Sequence, residues 1–454
     1  MLYTYQDMLG AQDVPAFVLS AIQRYKQSET YQTALDADEY DAQRNVTITQ
    51  VVPKVFNRAG MQVEDFTAAN NKIACNLFNR LNTQRCMYSL GNGVSFIDPY
   101  EAAAGKRDET KARLGRRFDH VISSAGYYGL IHGVSYLFWD VDHVVMFKAT
   151  EFVPIEDEHD GSMRAGIRFW QLDKSKPLNA VLYEQDGFTV YRQESGAFRE
   201  IQPKRAYEVT YRYTERDEDF TIDSEDNYPS LPVVRLYGSR LRQSTLVGMR
   251  NAIDAYDLIR SGFANDLQDC AEIYWIVENY GGMESDDLWE FLNRLKMNHI
   301  ANADTQAGGK IVPYTQEIPT NARKECLKEL RDGIYEDYGA LDVHVIQAAS
   351  TNDHIDAAYQ PLDENAADFE YWVSDAIVQL LALQGIEDEP VFQRERVSNK
   401  KEQVEMVVQE AEWLDEATVL RKLPNITPDE ASAILLAKDE EDMGRMGLGG
   451  GEQE

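Results

Sequence analysis

The 454-residue chain has little cysteine, a deficit of positive charge and no long apolar run. Its four cysteines, Cys75, Cys86, Cys270 and Cys326, are scattered, and no two form a Cys-x-x-Cys pair. That spacing excludes a disulfide-framed scaffold and the common zinc sites, and it predicts buried thiols in a reducing compartment. No apolar stretch approaches the roughly 20 residues that span a bilayer. The opening residues, Met1 to Pro15, lack a basic segment followed by an apolar one, so no secretory signal is expected. Lysine and arginine number 45 against 77 aspartates and glutamates, a formal net charge of −32. Gripping nucleic acid requires lysine and arginine to displace phosphate counterions. Most of this surface therefore does not bind DNA. The acidity serves solubility, or it makes a surface that DNA passes without sticking, because like charge holds phosphates away.

Phosphate-loop motifs are missing as well. Gly91-Asn92-Gly93 has no third glycine and no following Lys-Ser/Thr. The Gly308-Gly309-Lys310 triplet has Asp304 where the motif needs its first glycine, and no Ser or Thr follows the lysine.

What is present is a mixed pattern, with 43% hydrophobic and 27% charged residues and length for roughly three domains. The stretch Leu231 to Glu278 organises the rest. A short apolar strand (Val233, Val234, Leu236) runs into a turn at Gly238 and Ser239. Leu246, Met249, Ile253, Tyr256, Ile259, Phe263 and Leu267 then recur at helical spacing, and a β-rich run follows from Ile273 to Val277. Upstream, Asp13 to Tyr25 predicts an amphipathic helix that buries Phe17, Ile22 and Tyr25. A polar, tyrosine-bearing acidic stretch leads to Ile48. Ile73, Leu77, Leu81 and Cys86 or Met87 predict a helix with Asn70 as its N-cap, followed by a short strand over Tyr88 to Phe96.

Arg107 to Tyr128 predicts one helix, beginning in a basic cluster of Lys106, Arg107, Lys111, Arg113, Arg116 and Arg117. This cluster is a solvated helix face or a contact for an acidic neighbouring subunit. From Gly133 the pattern alternates, with turns at Asp140 to Asp142, Asp186-Gly187 and Ser195-Gly196. It predicts an antiparallel sheet or half-barrel of about six strands.

After the long helix, Ala271 to Pro319 reads strand, Ser285-capped helix, strand. Asn321 to Asp342 reads as a second long helix with Leu327, Leu330, Ile334, Tyr338 and Leu341 on one stripe and Gly333 as a place to bend. Val345 to Pro361 reads as an irregular loop. A helix is expected from Asp363 to Gln384, then short helices, one opened by a capping box at Thr427 to Glu430.

One cluster invites chemistry: Glu156, Asp157, Glu158 and Asp160, with His143 and His159 nearby. Adjacent residues point in different directions, so such a run reads as a solvated loop, with a weak divalent-ion site left open. A metal- or carbohydrate-dependent enzyme using Glu156, Asp157 or His159 is the alternative it would support.

The run IDAYDLIRSGFANDLQD, Ile253 to Asp269, after the LPVV strand resembles the tailed-bacteriophage portal proteins of the SPP1 portal-like family. Other segments are similar to that family in the same order. They are the NNKI opening and YSLGNGVSF exit around residues 70–96, the AGYYGLIHGVSYLFWDVD, FVPIEDEHDG and AGIRFW series, and the C-terminal EPVFQRERVSN and LRKLP segment. The clip matches by position only, and the N-terminal wing is short.

The resemblance implies an α+β portal fold: wing over 1–238, first stem helix 239–270, small α/β clip 271–319, second stem helix 320–342. A tunnel loop 343–362, a wing helix 363–386 and a helical crown 387–438 complete it, and the acidic, glycine-rich tail 439–454 is expected from its composition to be disordered. It implies a ring of about twelve copies around a DNA channel at one capsid vertex, in the virion and, during assembly, the host cytoplasm. Its partners would be the large terminase, major capsid and scaffolding proteins, a head-tail adaptor and double-stranded DNA passing without sequence specificity. No catalytic residue, cofactor, metal or membrane is implied. By the same resemblance, Glu325, Lys328, Glu329, Asp332 and Glu336 would line the channel. Gln347, Ser350, Thr351, Asn352, Asp353 and His354 would form the tunnel loop, and Glu278, Asp286, Asp287, Arg294 and Lys296 would dock partners at the clip. A head-completion or adaptor protein is the structural alternative.

Overall fold

A computed structural model describes residues 2–56, 60–66, 68–97, 106–214, 219–269, 274–278, 310–314, 319–342 and 352–394. Beyond these it describes 404–405, 407–409, 411, 413–414, 416–423, 426, 430–431 and 433–438. The chain divides into two compact units. The first comprises Met1–Arg44, Asn76–Arg250 and Ile334–Glu454, and the second Asn45–Cys75 and Asn251–Gly333.

In the first unit, hairpin chemistry builds a five-stranded antiparallel meander. Its order is Ala197–Arg205, Gly187–Glu194, Asn179–Glu184, Met163–Trp170, Phe152–Glu156. Ser195 and Gly196 adopt the left-handed backbone that their tight turn demands. Alternation puts Ala180 and Leu182 on one face and Val181 and Tyr183 on the other, and both faces are buried. The first face packs Phe17, Val18, Ala21, Ile22 and Tyr25 of the helix Val14–Lys26. That helix starts where the Asp13 carboxylate accepts the Ala16 amide at 3.1 Å, with Pro15 in the first turn. Each apolar side chain so buried contributes roughly 1.5–3 kcal/mol before chain entropy is counted.

The opposite face joins a larger core around a three-stranded sheet, Val233–Tyr237, Val134–Asp140 and His143–Lys148. The helix Phe118–His132 lies against it and ends at Gly133, whose φ of 88° is left-handed. A Cβ there would stand 2.6 Å from the backbone carbon of Gln243, so only glycine fits. The helix Asn352–Ala382 closes this core with Phe369, Val373, Ala376, Ile377 and Leu380, all fully buried at helical spacing.

The sequence pattern and the fold differ at five places. The expected helix 107–128 is two, Glu109–Arg113 and Phe118–His132, because Gly115 turns left-handed between them. The helix expected to be capped by Asn70 starts at Leu77 and runs through Leu90, which leaves only Val94–Ser95 as strand. The acidic stretch is itself a helix, Glu29–Asp41, capped by Ser28. Ile48 lies in a helical turn, Val46–Thr49. The expected half-barrel is split into the five- and three-stranded sheets and a separate ribbon, Glu208–Thr214 with Asp219–Asp226. Finally, the last helix begins at Asn352 and not at Asp363. Ile355, Tyr359, Leu362 and Ala366 carry the apolar stripe back through Pro361, which sits inside the helix.

The helix Thr320–Tyr338 stops in the first unit by the geometry that orphaned carbonyls require. Gly339, at φ 65°, donates to the Glu336 carbonyl at 3.0 Å, and Ala340 donates to that of Tyr335 at 2.9 Å. The Asn365 amide donates to the remaining carbonyls of Tyr338 (2.6 Å) and Gly339 (3.3 Å). Asn365→Ala removes that cap and is expected to cost about 1–2 kcal/mol, read as a lower thermal midpoint with unchanged helix content.

In the second unit, Tyr274–Glu278 pairs antiparallel with Lys310–Tyr314, from Tyr274 opposite Tyr314 to Glu278 opposite Lys310. A small hairpin, Lys54–Phe56 with Gln62–Glu64, belongs to the same unit. The Ser285-capped helix and the tail 439–454 lie outside the described residues, as does most of the capping box at 427–430.

Candidate functional site

The long helix Leu246–Asp269 is held by a ladder whose one trace in the sequence is a polar spacing along the helix. An extended segment, residues 71–75, lies along the helix portion of the second unit. The amide of Asn71 donates to Asn265 Oδ1 at 2.6 Å, that of Ile73 to Ser261 Oγ at 3.0 Å and that of Cys75 to Asp257 Oδ1 at 2.8 Å. The match is geometric. Two residues of extended chain advance about 6.7 Å and four residues of helix about 6.0 Å, so every second amide meets every fourth side chain. The Asn71 side chain adds bonds to Asn265 and Gln268, each at 3.0 Å. At the other end, Asn45 Nδ2 donates to both Asp254 Oδ1 and Asp257 Oδ2 at 2.9 Å, while its Oδ1 accepts the amides of Thr47 and Ile48. Asp257 is fully buried. Burial raises its pKa above the ordinary aspartate value, against the pull of the bonds from Asn45 and Cys75. The polar spacing 257, 261, 265, 268 was the signal for this ladder.

The apolar stripe of the same helix is graded. Leu246, Met249 and Ile253 are buried, Tyr256, Ile259 and Phe263 are half-buried, and Leu267 is exposed. Near this exposed end, Arg323 of the helix Thr320–Tyr338 pairs with Asp266 and lies over the Phe263 ring, 5.7 Å from its centroid.

The helix Thr320–Tyr338 carries the expected charged row. Glu325, Lys328, Glu329 and Asp332 follow at three- and four-residue steps, and Glu336 continues the row one turn on. All five are exposed. Leu327 and Leu330 lie half-buried on the opposite side, and Ile334 and Tyr338 are buried. Asp332 also accepts a bond from Arg331 at 3.1 Å. Gly333 does not break the helix, which is continuous through it.

Of the other expected positions, Gln347, Ser350 and Thr351 lie outside the described residues. Asn352, Asp353 and His354 open a helix instead of belonging to a loop. Glu278 ends the strand paired with Lys310. Asp286, Asp287, Arg294 and Lys296 lie outside the described residues.

The acidic run at 156–160 does not converge. Glu156 pairs with Arg235 at 2.5 Å, and Asp157 accepts Gln6 Nε2 and the His159 amide, each at 2.9 Å. Glu158 accepts Thr4 Oγ1 at 2.7 Å, and Asp160 accepts the Ser162 amide and Arg164. Those bonds hold the Asp157 and Asp160 carboxyls below the usual aspartate range. Among the described residues, no three His, Cys, Asp or Glu side chains are grouped to hold a metal. At Gly93, a Cβ would meet the Asp119 carboxylate at 2.9 Å, and the following amide, of Val94, already donates to Asp119. That loop holds a carboxylate where a phosphate would have to sit. Of the cysteines, Cys75 and Cys86 are buried as expected, the Cys86 thiol pushed up to about 12 by burial, but Cys326 is exposed.

The family model described as phage portal protein, SPP1 Gp6-like, matches residues 23–445. A portal protein of Clostridium phage phiCD119 is 37% identical over 118 residues, 25% of this chain and 26% of that protein. A portal protein of Bacillus phage SPP1 is 20% identical over 325 residues, 68% of this chain and 61% of that protein. The matched regions thus span about a quarter and about three fifths of these relatives' lengths.

Proposed function

The chain belongs to the SPP1 Gp6-like phage portal protein family, and we propose that about twelve copies close into a ring around a DNA channel at one capsid vertex. The observation that carries this reading is the family match over residues 23–445, nearly the whole chain. The exposed row Glu325, Lys328, Glu329, Asp332 and Glu336 supports it. In a ring, these side chains face the axis. A wall of net negative charge keeps phosphates at a distance, and a single lysine per row leaves no deep electrostatic trap.

The role is mechanical. A separate terminase ATPase drives the genome in, and the same channel releases it at ejection. The tunnel segment expected over 343–362 lies at the constriction, its part from Asn352 onward being helix and not loop. The clip, 271–319, docks the terminase and later the head-tail adaptor, and capsid and scaffolding proteins surround the ring in the virion. No step asks this chain to break a covalent bond.

Native mass spectrometry with negative-stain imaging of the purified chain tests the reading. The expected result is a closed ring of about twelve or thirteen subunits with a central hole and no ATP hydrolysis. Hydrolysis by the pure ring overturns the mechanical role, and a compact assembly without a hole overturns the channel.

A further inference from the structure

The ribbon of Glu208–Thr214 and Asp219–Asp226 has little to stabilise it by itself. Its strands pair with each other and, among the described residues, with no other strand. An isolated two-stranded ribbon is marginal in water. Its register makes matters worse, because Glu208 stands directly opposite Asp226, and facing like charges destabilise a strand pair. Glu225 and Asp226 are exposed, and so is Ile222.

The complementary feature lies elsewhere on the same unit. Arg113, Arg116 and Arg117 are exposed, and among the described residues none has a carboxylate in ion-pair reach, although Lys111 in the same run is taken by Asp119 at 2.8 Å. Arg116 and Arg117 border a groove of about 660 Å³ between the start of the helix Phe118–His132 and the strand His143–Lys148. His120 and His143 line it too. The one carboxylate on its wall, Asp142, is paired with His143 at 2.8 Å. The strand His143–Lys148 is the last in its sheet.

We infer that this groove receives the acidic ribbon of a second copy of the chain. The ribbon brings both things that the groove lacks: carboxylates for the arginines and a strand edge for the terminal strand. The arginines relieve the Glu208–Asp226 repulsion in return. Groove and ribbon are different surfaces of one chain, so each copy offers one and uses the other. Repetition of such a contact generates a ring. The inference rests on the ring assembly proposed above and names one of its contacts.

The test is charge exchange, read by native mass spectrometry of full-length chains whose folding is first checked by thermal unfolding. Arg116→Glu/Arg117→Glu and Glu225→Arg/Asp226→Arg are each expected to raise the concentration for half-maximal ring assembly at least about tenfold. An equimolar mixture is expected to restore assembly to within about threefold of the unmodified chain as even-numbered rings in which the two variants alternate, because every contact then joins opposite charges. If both variants assemble like the unmodified chain, the interface is wrong and the ring reading stands. If only the arginine variant fails, or the mixture does not recover, the groove binds another acidic segment and the ribbon is not its occupant. An unmodified chain that stays monomeric overturns the ring reading and this contact with it.

Discussion

In the ring proposed above, replacing Glu325, Glu329, Asp332 and Glu336 together by lysine is expected to make the channel hold double-stranded DNA instead of passing it. All four side chains are exposed on one row of the helix Thr320–Tyr338, and Lys328 already lies among them. Reversal turns a sparse negative row into five consecutive cations per copy, repeated around the ring. Duplex DNA carries one negative charge per about 1.7 Å, and each neutralised phosphate releases counterion. Six to ten such contacts give an affinity that falls by about 10³–10⁵ between roughly 50 and 200 mM salt. The expected result is therefore tight, strongly salt-dependent retention of linear DNA by the variant ring, with packaging in a terminase-driven assay nearly abolished. Exposed positions of this kind change stability by only about 0.5 kcal/mol each, so the ring itself persists. The four-alanine variant separates the effects: it removes the negative row without adding a grip, and it is expected to package. A lysine ring that neither retains DNA nor stalls packaging would mean that the row does not face the channel.

That row was legible because its signal is local. Charges at three- and four-residue steps on a helix are read directly from spacing, as are the stripe Phe369, Val373, Ala376, Ile377 and Leu380 and the turn at Ser195-Gly196; the turn expected at Asp186-Gly187 falls one residue earlier, at Gln185-Asp186, because Gly187 already pairs with Glu184. The failures share the opposite property. Pro361 suggested a helix boundary, yet Ile355, Tyr359 and Leu362 gain enough by packing with Leu341 and Tyr88 to carry the helix through it. Gly115 and Gly126 look alike in the sequence. The first breaks a helix with a left-handed backbone, whereas the second lies inside a helix, where Phe369 and Leu90 leave no room for a Cβ. The residues 71–75 were assigned to a helix because their own composition allows it. Their amides are instead satisfied by Asp257, Ser261 and Asn265, far along the chain. A pattern within one segment carries no trace of a partner that distant.

The ladder makes a large prediction of its own. Asp257→Ala strips a buried acceptor from two donors, the Cys75 amide and Asn45 Nδ2, although Asn45 keeps Asp254. A buried donor left without a partner costs about 1–3 kcal/mol, so the variant is expected to lose about 2–4 kcal/mol. The loss is local before it is global. Hydrogen exchange at the amides of Asn71, Ile73 and Cys75 is expected to accelerate about a hundredfold, while amides in the sheet Phe152–Glu156 to Ala197–Arg205 keep their protection. Ser261→Ala removes one acceptor and is expected to accelerate Ile73 most, by about tenfold. The pH dependence fixes the sign. Burial raises the folded pKa of Asp257 above 3.8, so between that value and the raised one the folded chain holds more proton than the unfolded chain. The stability this carboxyl contributes is full below that window and declines as pH rises through it, opposite to an acid held by an arginine. The gap between the unmodified chain and Asp257→Ala is therefore expected to narrow from acid toward neutral pH. A gap that widens over the same range would mean that the hydrogen bonds from Asn45 and Cys75 outweigh desolvation and hold the carboxyl ionised.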